Sequence, residues 1–115
     1  MTRLEDAERK SRLWHVHDAC RAIMTFAEGV SLETYRRDRL IRSAIEREFI
    51  VIGEALRHLG ETDPEAVSIT NARKIVAFRN QLVHNYPHID DDIVWTIVRN
   101  DIPDLARAIE GLLSS

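Results

Sequence analysis

The sequence predicts an all-α fold: an antiparallel bundle of four to five helices in a single domain covering residues 1–115. Three observations predict it. Apolar residues recur at three- and four-residue steps through most of the chain, the spacing that lines one face of a helix. No stretch alternates apolar and polar residues with the two-residue period of a half-buried strand. Only three prolines and four glycines punctuate the sequence, and several fall between the periodic segments, so the connections are short and neighbouring helices run antiparallel.

The first periodic segment runs from Arg3 to about Glu28, with Leu13, Val16, Cys20, Ile23 and Ala27 on one face, and Gly29 stops it. Ser31 can cap a short turn through Tyr35. A long stripe follows, made of Leu40, Ile41, Ala44, Ile45, Phe49, Ile52, Leu56 and Leu59, with Gly60 suited to a left-handed C-terminal position. Asp63-Pro64-Glu65 has a side-chain cap, a proline for the first helical position and a carboxylate for the first turn, enough to begin another short turn. A further helix, from around Asn71 to His84, carries Ala72, Ile75, Val76, Leu82 and Val83, and the Tyr86-Pro87 step ends it near His84 or Asn85. Asp90, Asp91 and Asp92 open the last helix, whose stripe of Val94, Ile97, Val98, Leu105, Ile109 and Leu112 is expected to bend at Pro103.

Composition excludes several classes of function. The longest apolar run, Phe49-Ile50-Val51-Ile52, is far shorter than the roughly 20 residues of a spanning helix. The acidic start Met1-Thr2-Arg3-Leu4-Glu5-Asp6 lacks the apolar core of a secretory signal, so a soluble, cytoplasmic protein without membrane contact is expected. The single cysteine, Cys20, cannot close an internal disulfide and sits on an apolar face as a small core residue. Sixteen Lys and Arg against nineteen Asp and Glu give a net charge of −3, so any contact with nucleic acid must be local. Two basic clusters, Arg36, Arg37, Arg39 and Arg42, and Arg9, Lys10 and Arg12, read as solvated helix faces or as local phosphate contacts.

The chemistry concentrates in the third main helix. Ala72 and Ile75 step onward to Arg79, and Val76 steps to Asn80, so both polar residues fall where the apolar stripe should continue. A charge in that position must be paired with an acid such as Glu54, or must face a cleft or a subunit interface. His84 follows Asn80 by four residues on the same face, with Arg79 adjoining, so the trio can converge on one ligand. Imidazole exchanges protons near neutrality, and guanidinium is a permanent planar clamp for phosphate oxygens. RNA cleavage needs both roles. If the ribose 2′-hydroxyl attacks its own phosphate, His84 can move the proton and Arg79 can neutralise the charge developing on the phosphoryl oxygens, with no cofactor or metal required.

The segment Arg79-Asn80-Gln81-Leu82-Val83-His84-Asn85-Tyr86 has an R-x4-H-x-Y form and resembles the HepT-like family of HEPN proteins. The likeness extends to Ile52-Gly53-Glu54-Ala55 and to Pro87-His88-Ile89-Asp90 with Val94-Trp95, and covers roughly Asp18 to Leu113. The chain departs from the pattern where relatives carry a tryptophan before the motif helix. Val67-Ser68-Ile69-Thr70 stands there instead, and a serine or threonine cap can start the helix. The resemblance implies an all-α homodimer with the two motif helices at a shared cleft. It also implies a metal-independent RNase toxin partnered by a minimal nucleotidyltransferase antitoxin that can transfer AMP to the motif tyrosine. On this resemblance Arg79 and His84 are the catalytic pair, Asn80 and Tyr86 position the substrate, and Tyr86 accepts AMP; Glu54, read from the residues alone, could support the pair by holding Arg79 or His84 in place, or simply cap a buried polar pair. AMP at Tyr86 would set bulk and negative charge beside the pair and repel RNA.

Other readings use the same residues. His84 with His88, or His15 with His17, could begin a metal site, but Pro87 breaks the helix that would present the first pair and an aspartate run at a helix start ordinarily caps it. His15, His17 and His58 fit surface or interface roles, and Trp14 and Trp95 fit core or dimer contacts better than base stacking. A non-catalytic alternative is a dimeric helical platform that docks a nucleotidyltransferase and serves as its substrate. It keeps a use for Tyr86 but needs no turnover at His84. A purely structural bundle would use none of them.

Overall fold

Helix boundaries follow from local chemistry at each end. The computed structural model describes residues 2–68, 71–84 and 90–114, and among these there is helix and no strand. Helix α1 spans Arg3–Ala27, α2 Leu32–Arg37, α3 Arg39–Thr62, α4 Pro64–Ser68, α5 Ala72–Val83, α6 Asp91–Thr96 and α7 Ile102–Leu113, with a π-helical segment at Ile97–Asp101. The α1 chain reverses at Gly29, whose φ of 71° is a left-handed conformation that favours glycine. The Ser31 hydroxyl then accepts from Thr34 N at 3.1 Å and starts α2. Asp38 separates α2 from α3 alone, its Oδ1 accepting from Leu40 N at 3.0 Å and Ile41 N at 3.2 Å. Asp63 caps α4 through Ala66 N at 3.1 Å, with Pro64 at the first helical position, and Asp90 caps α6 through Asp92 N at 2.8 Å.

The stripes seen in the sequence form the core. Leu13, Val16, Cys20 and Ile23 of α1 and Ile45, Phe49, Ile52 and Leu59 of α3 are fully buried, and Ala27 and Leu56 nearly so. Each such aliphatic side chain favours the folded state by roughly 1.5–3 kcal/mol over leaving it in water. Helix α3 is central: it packs on α1 along one side and on α5 along another, while α1 also packs on α7. A 2.6 Å ion pair from Arg9 Nε to Asp63 Oδ2 joins the start of α1 to the end of α3, so the two run antiparallel. Burial pushes the Cys20 thiol up to about 12, which removes it as a nucleophile. Among the described residues no helix is long and apolar enough to cross a membrane.

Three details differ from the sequence expectation. Gly60 does not end α3: the helix continues to Thr62 because Asp63 N still donates to Leu59 O at 2.7 Å, and the carbonyl ladder is satisfied one turn beyond the glycine. Leu40 stands at the very start of α3 and is exposed, since in that turn it is Ile41 that faces the core. The irregularity ahead of Pro103 lies at Ile97–Asp101, where the chain winds one residue wider. Proline lacks an N–H and crowds the carbonyl four residues back, which here is Arg99, so widening the preceding turn relieves the clash without a break.

Candidate active site at the crossing of α3 and α5

Phe78 of α5 is buried and meets Phe49 of α3 edge to face, centroids 4.8 Å apart at 73°. The sequence reading passed over Phe78, though it follows Ile75 by three residues and continues the stripe that Arg79 and Asn80 were assigned to interrupt. Arg79, the next residue, is carried across the α3 backbone at Gly53. A Cβ on Gly53 would lie 2.3 Å from Arg79 Cγ and 2.4 Å from its Cβ. No side chain fits there. The glycine is the notch through which the arginine stem passes, the close approach that a mid-helix glycine signals.

Beyond the notch the guanidinium is fixed on two sides. Nη2 donates to Glu54 Oε2 at 2.9 Å and Nη1 donates to Asn80 Oδ1 at 3.1 Å. Nε is buried with no hydrogen-bond partner among the described residues, while the side chain as a whole remains 20% exposed. The other oxygen of Glu54 accepts from Arg57 Nη2 at 2.9 Å and lies 3.0 Å from His58 Nε2. The hydrogen bond from Arg57, helped by the bond to His58 and the charge of Arg79, holds the Glu54 carboxyl below its usual value against the opposing cost of burial. Glu54 therefore stays ionised at neutral pH, one carboxylate shared among three basic side chains.

The predicted residues divide. Arg79, Asn80 and Glu54 are brought together. The ion pair to Glu54 is the bridge that the sequence left open beside the cleft reading, and it leaves the guanidinium neither sealed nor fully occupied. Asn80 is exposed and does not continue the apolar stripe, because Phe78 takes the place in the core. His84 stands just past α5, exposed, its backbone N–H still donating to Asn80 O at 3.1 Å, so it shares the last helical turn with Asn80. Tyr86, like Pro87 and His88, lies outside the described residues. Of the possible caps for α5, Thr70 also lies outside them, and the Ser68 hydroxyl donates back to Glu65 O at 2.8 Å, so it does not start the helix. His17 pairs with Glu110 at 2.9 Å, and Trp95 is a core residue in tilted ring contact with Tyr35, whereas Trp14 is exposed. Among the described residues no three His, Cys, Asp or Glu side chains are grouped to hold a metal ion.

Gly53 is the residue whose role sequence reasoning missed. Its signal was a glycine inside the strongest helical stripe, where it costs roughly 1 kcal/mol relative to alanine and implies a packing reason.

Comparison with known proteins converges on one family. A family model described as ribonuclease HepT-like matches residues 16–112. A Methanocaldococcus jannaschii protein named "Putative RNase" is 27% identical over 101 residues, 88% of this chain and 93% of its own length. A Caldanaerobacter subterraneus protein of the same name is also 27% identical, covering 88% of this chain and 90% of the relative. A Thermococcus cleftensis protein named "Probable ribonuclease HepT" is 26% identical over 90% of this chain and 94% of its own length. No solved structure matches the chain.

Proposed function

The chain belongs to the HepT-like ribonuclease family, and on that premise we propose that it is a metal-independent endoribonuclease in which Arg79 and His84 act on one phosphodiester. The observation that carries this reading is the preparation of Arg79: a glycine notch, a carboxylate and an asparagine fix its guanidinium, while the side chain keeps 20% of its surface exposed. His84 lies five residues on, roughly 7.5 Å along the axis at the helical rise, exposed and free to approach the same ligand.

In this mechanism the 2′-hydroxyl attacks the adjacent phosphorus, His84 takes its proton, and the bond to the 5′-oxygen of the next nucleotide breaks. That oxygen leaves with a proton from a general acid, leaving a 2′,3′-cyclic phosphate. Arg79 balances the charge that builds on the non-bridging oxygens, and Asn80 orients the guanidinium by accepting from Nη1. Arg79 and His84 of a second copy across a shared cleft would complete the site, making the working unit a homodimer. We read its biological role as the toxin of a pair whose antitoxin is a minimal nucleotidyltransferase. Transfer of AMP from ATP to the Tyr86 hydroxyl, with pyrophosphate leaving, would place a negative group beside the catalytic pair and block RNA.

The test is cleavage of single-stranded RNA by purified protein in excess EDTA. Arg79→Ala and His84→Ala should each lower the rate by a factor of roughly 10² or more while the proteins stay folded, as loss of a phosphate clamp or a general base does. Activity that appears only on adding a divalent ion, or variants that cleave at the wild-type rate, would overturn the mechanism. The Glu54–Arg79 pair favours one second reading, the non-catalytic dimeric partner of a nucleotidyltransferase, in which Arg79 serves packing. Wild-type protein that is modified at Tyr86 yet leaves RNA intact would establish it.

A further inference from the structure

Alongside the candidate site, α3, α4 and α5 enclose an open groove of about 370 Å³. Its floor is apolar, made by Leu56, Val67 and Val76, and Gly60 adds no side chain to it: a Cβ there would meet only Val67 Cγ2, at 3.5 Å. Two guanidiniums rim it. Arg57 is anchored by Glu54 at 2.9 Å and Glu61 at 3.5 Å, whereas Arg73 is exposed and makes no ion pair with any of the described residues. Asn80 closes the end nearest the site.

Register along α5 connects the groove to the chemistry. Arg73, Ala77, Asn80 and His84 follow one another by four, three and four residues and so share one face of the helix. Arg73 lies roughly 10 Å from Asn80 along the axis. A guanidinium can only donate, so the Asn80 amide must turn its oxygen to Arg79, which leaves the amide N–H groups to donate elsewhere. An apolar floor, a cation with no ion pair among the described residues and an oriented amide are complementary to a flat base carried on an anionic backbone.

We propose that this groove is a nucleotide subsite for single-stranded RNA, seating a base that flanks the scissile phosphate while Arg73 contacts that nucleotide's phosphate. The proposal rests on the nuclease reading above and adds to it a substrate class: strands long enough to reach beyond the cleavage point, with unpaired bases.

The test uses the full-length protein and an uncleavable 2′-O-methyl RNA oligonucleotide, with binding followed by fluorescence anisotropy and cleavage of the matching natural RNA measured in parallel. Arg73→Glu, an exposed change, should weaken binding about tenfold and lower the salt dependence by about one phosphate contact, a slope change near 0.7 for single strands. Cleavage of a dinucleotide, too short to fill the groove, should keep its wild-type rate while KM for the longer RNA rises. Gly60→Leu, which fills the floor, should have the same pattern. Wild-type binding and cleavage left unchanged by Arg73→Glu would overturn the subsite and spare the nuclease. Binding that weakens in Arg73→Glu when the wild type never cleaves would support the subsite and defeat the nuclease. A wild type that neither binds nor cleaves defeats both. Unchanged RNA binding in Arg73→Glu, with lost association to the partner nucleotidyltransferase, would give the groove to a protein and overturn the RNA assignment.

Discussion

Helix α3 makes two contacts of different character. Against α1 it presents an apolar stripe to an apolar stripe, and the charged contribution is confined to the end, where Arg9 meets Asp63. Against α5 the seam begins in the same way, with Phe49 on Phe78, and is then broken by a missing side chain at Gly53, an arginine threaded through the gap and a carboxylate gripping its head. The first contact is the ordinary means by which a helix buries its face. The second forgoes a core position at Gly53 to hold a cation at the surface in one orientation. With Arg79 in its proposed role, stability and chemistry are divided between the two contacts of one helix, and the two should respond differently to substitution.

The largest effect expected is a pair of opposite outcomes. Leu13→Ala removes a fully buried side chain from the α1 stripe and should cost about 2–5 kcal/mol, read as a large fall in Tm, while the folded fraction keeps its specific activity. Gly53→Ala adds a single methyl, but it collides with the near end of the Arg79 side chain, Cβ and Cγ, which cannot swing away without moving α5. A smaller stability loss of about 1–3 kcal/mol is expected from overpacking. With Arg79 in its proposed catalytic role, RNA cleavage should fall by a factor of order 10², because a misplaced catalytic group is costly even at a displacement near 1 Å. Full activity in Gly53→Ala would break the comparison, since the notch would then have no part in setting Arg79.

Much of the first contact was legible in the sequence. Period alone named Leu13, Val16, Cys20, Ile23, Ile45, Phe49, Ile52, Leu56 and Leu59, and the caps at Ser31, Asp63 and Asp90 were readable because capping is local. The second contact was legible only in outline. A charge at Arg79 off the expected pattern announced a special position, but whether it met Glu54 depended on the register of α5 against α3, which no short window contains. Gly53 was visible as a letter, yet its meaning is a distance to a residue 26 positions away. Phe78 rather than Asn80 turns inward for a related reason: the two stand about 200° apart around a short helix, and only packing decides which side faces the core.

The Glu54 anchor can be tested through pH. Its carboxyl is held below its usual value of 4.5, first by the hydrogen bond from Arg57. A group whose folded pKa is depressed stabilises the protein above its unfolded pKa, and that contribution is lost as pH falls through the folded value. Glu54→Gln should therefore lower Tm at neutral pH, and the gap from wild type should close on acidification below about pH 4.5. The ion pair of Arg9 with Asp63, whose carboxyl is also held low by its hydrogen bond from Arg9, is present in both proteins and cancels in the difference. A Tm gap that stays constant from neutral pH down to about pH 3 would mean that Glu54 acts through shape, and the charge-sharing account of the Arg79 grip would fail.

The smallest effect comes from the second glycine of the same helix, and it sharpens the contrast most finely. Gly60 lies seven residues beyond Gly53, two turns along α3 on nearly the same side, yet a Cβ there finds only Val67 at ordinary van der Waals distance. With no threaded side chain to obstruct, Gly60→Ala should gain the helix-propensity difference between the two residues, a stabilisation of roughly 0.5–1 kcal/mol seen as a Tm higher by a few degrees. One methyl is too small to fill the groove, so binding of RNA should change little. Two glycines on one face would then answer the same substitution with opposite signs. If Gly60→Ala is instead as damaging as Gly53→Ala, the cost belongs to the α3–α5 seam in general, and the special claim for the arginine notch falls.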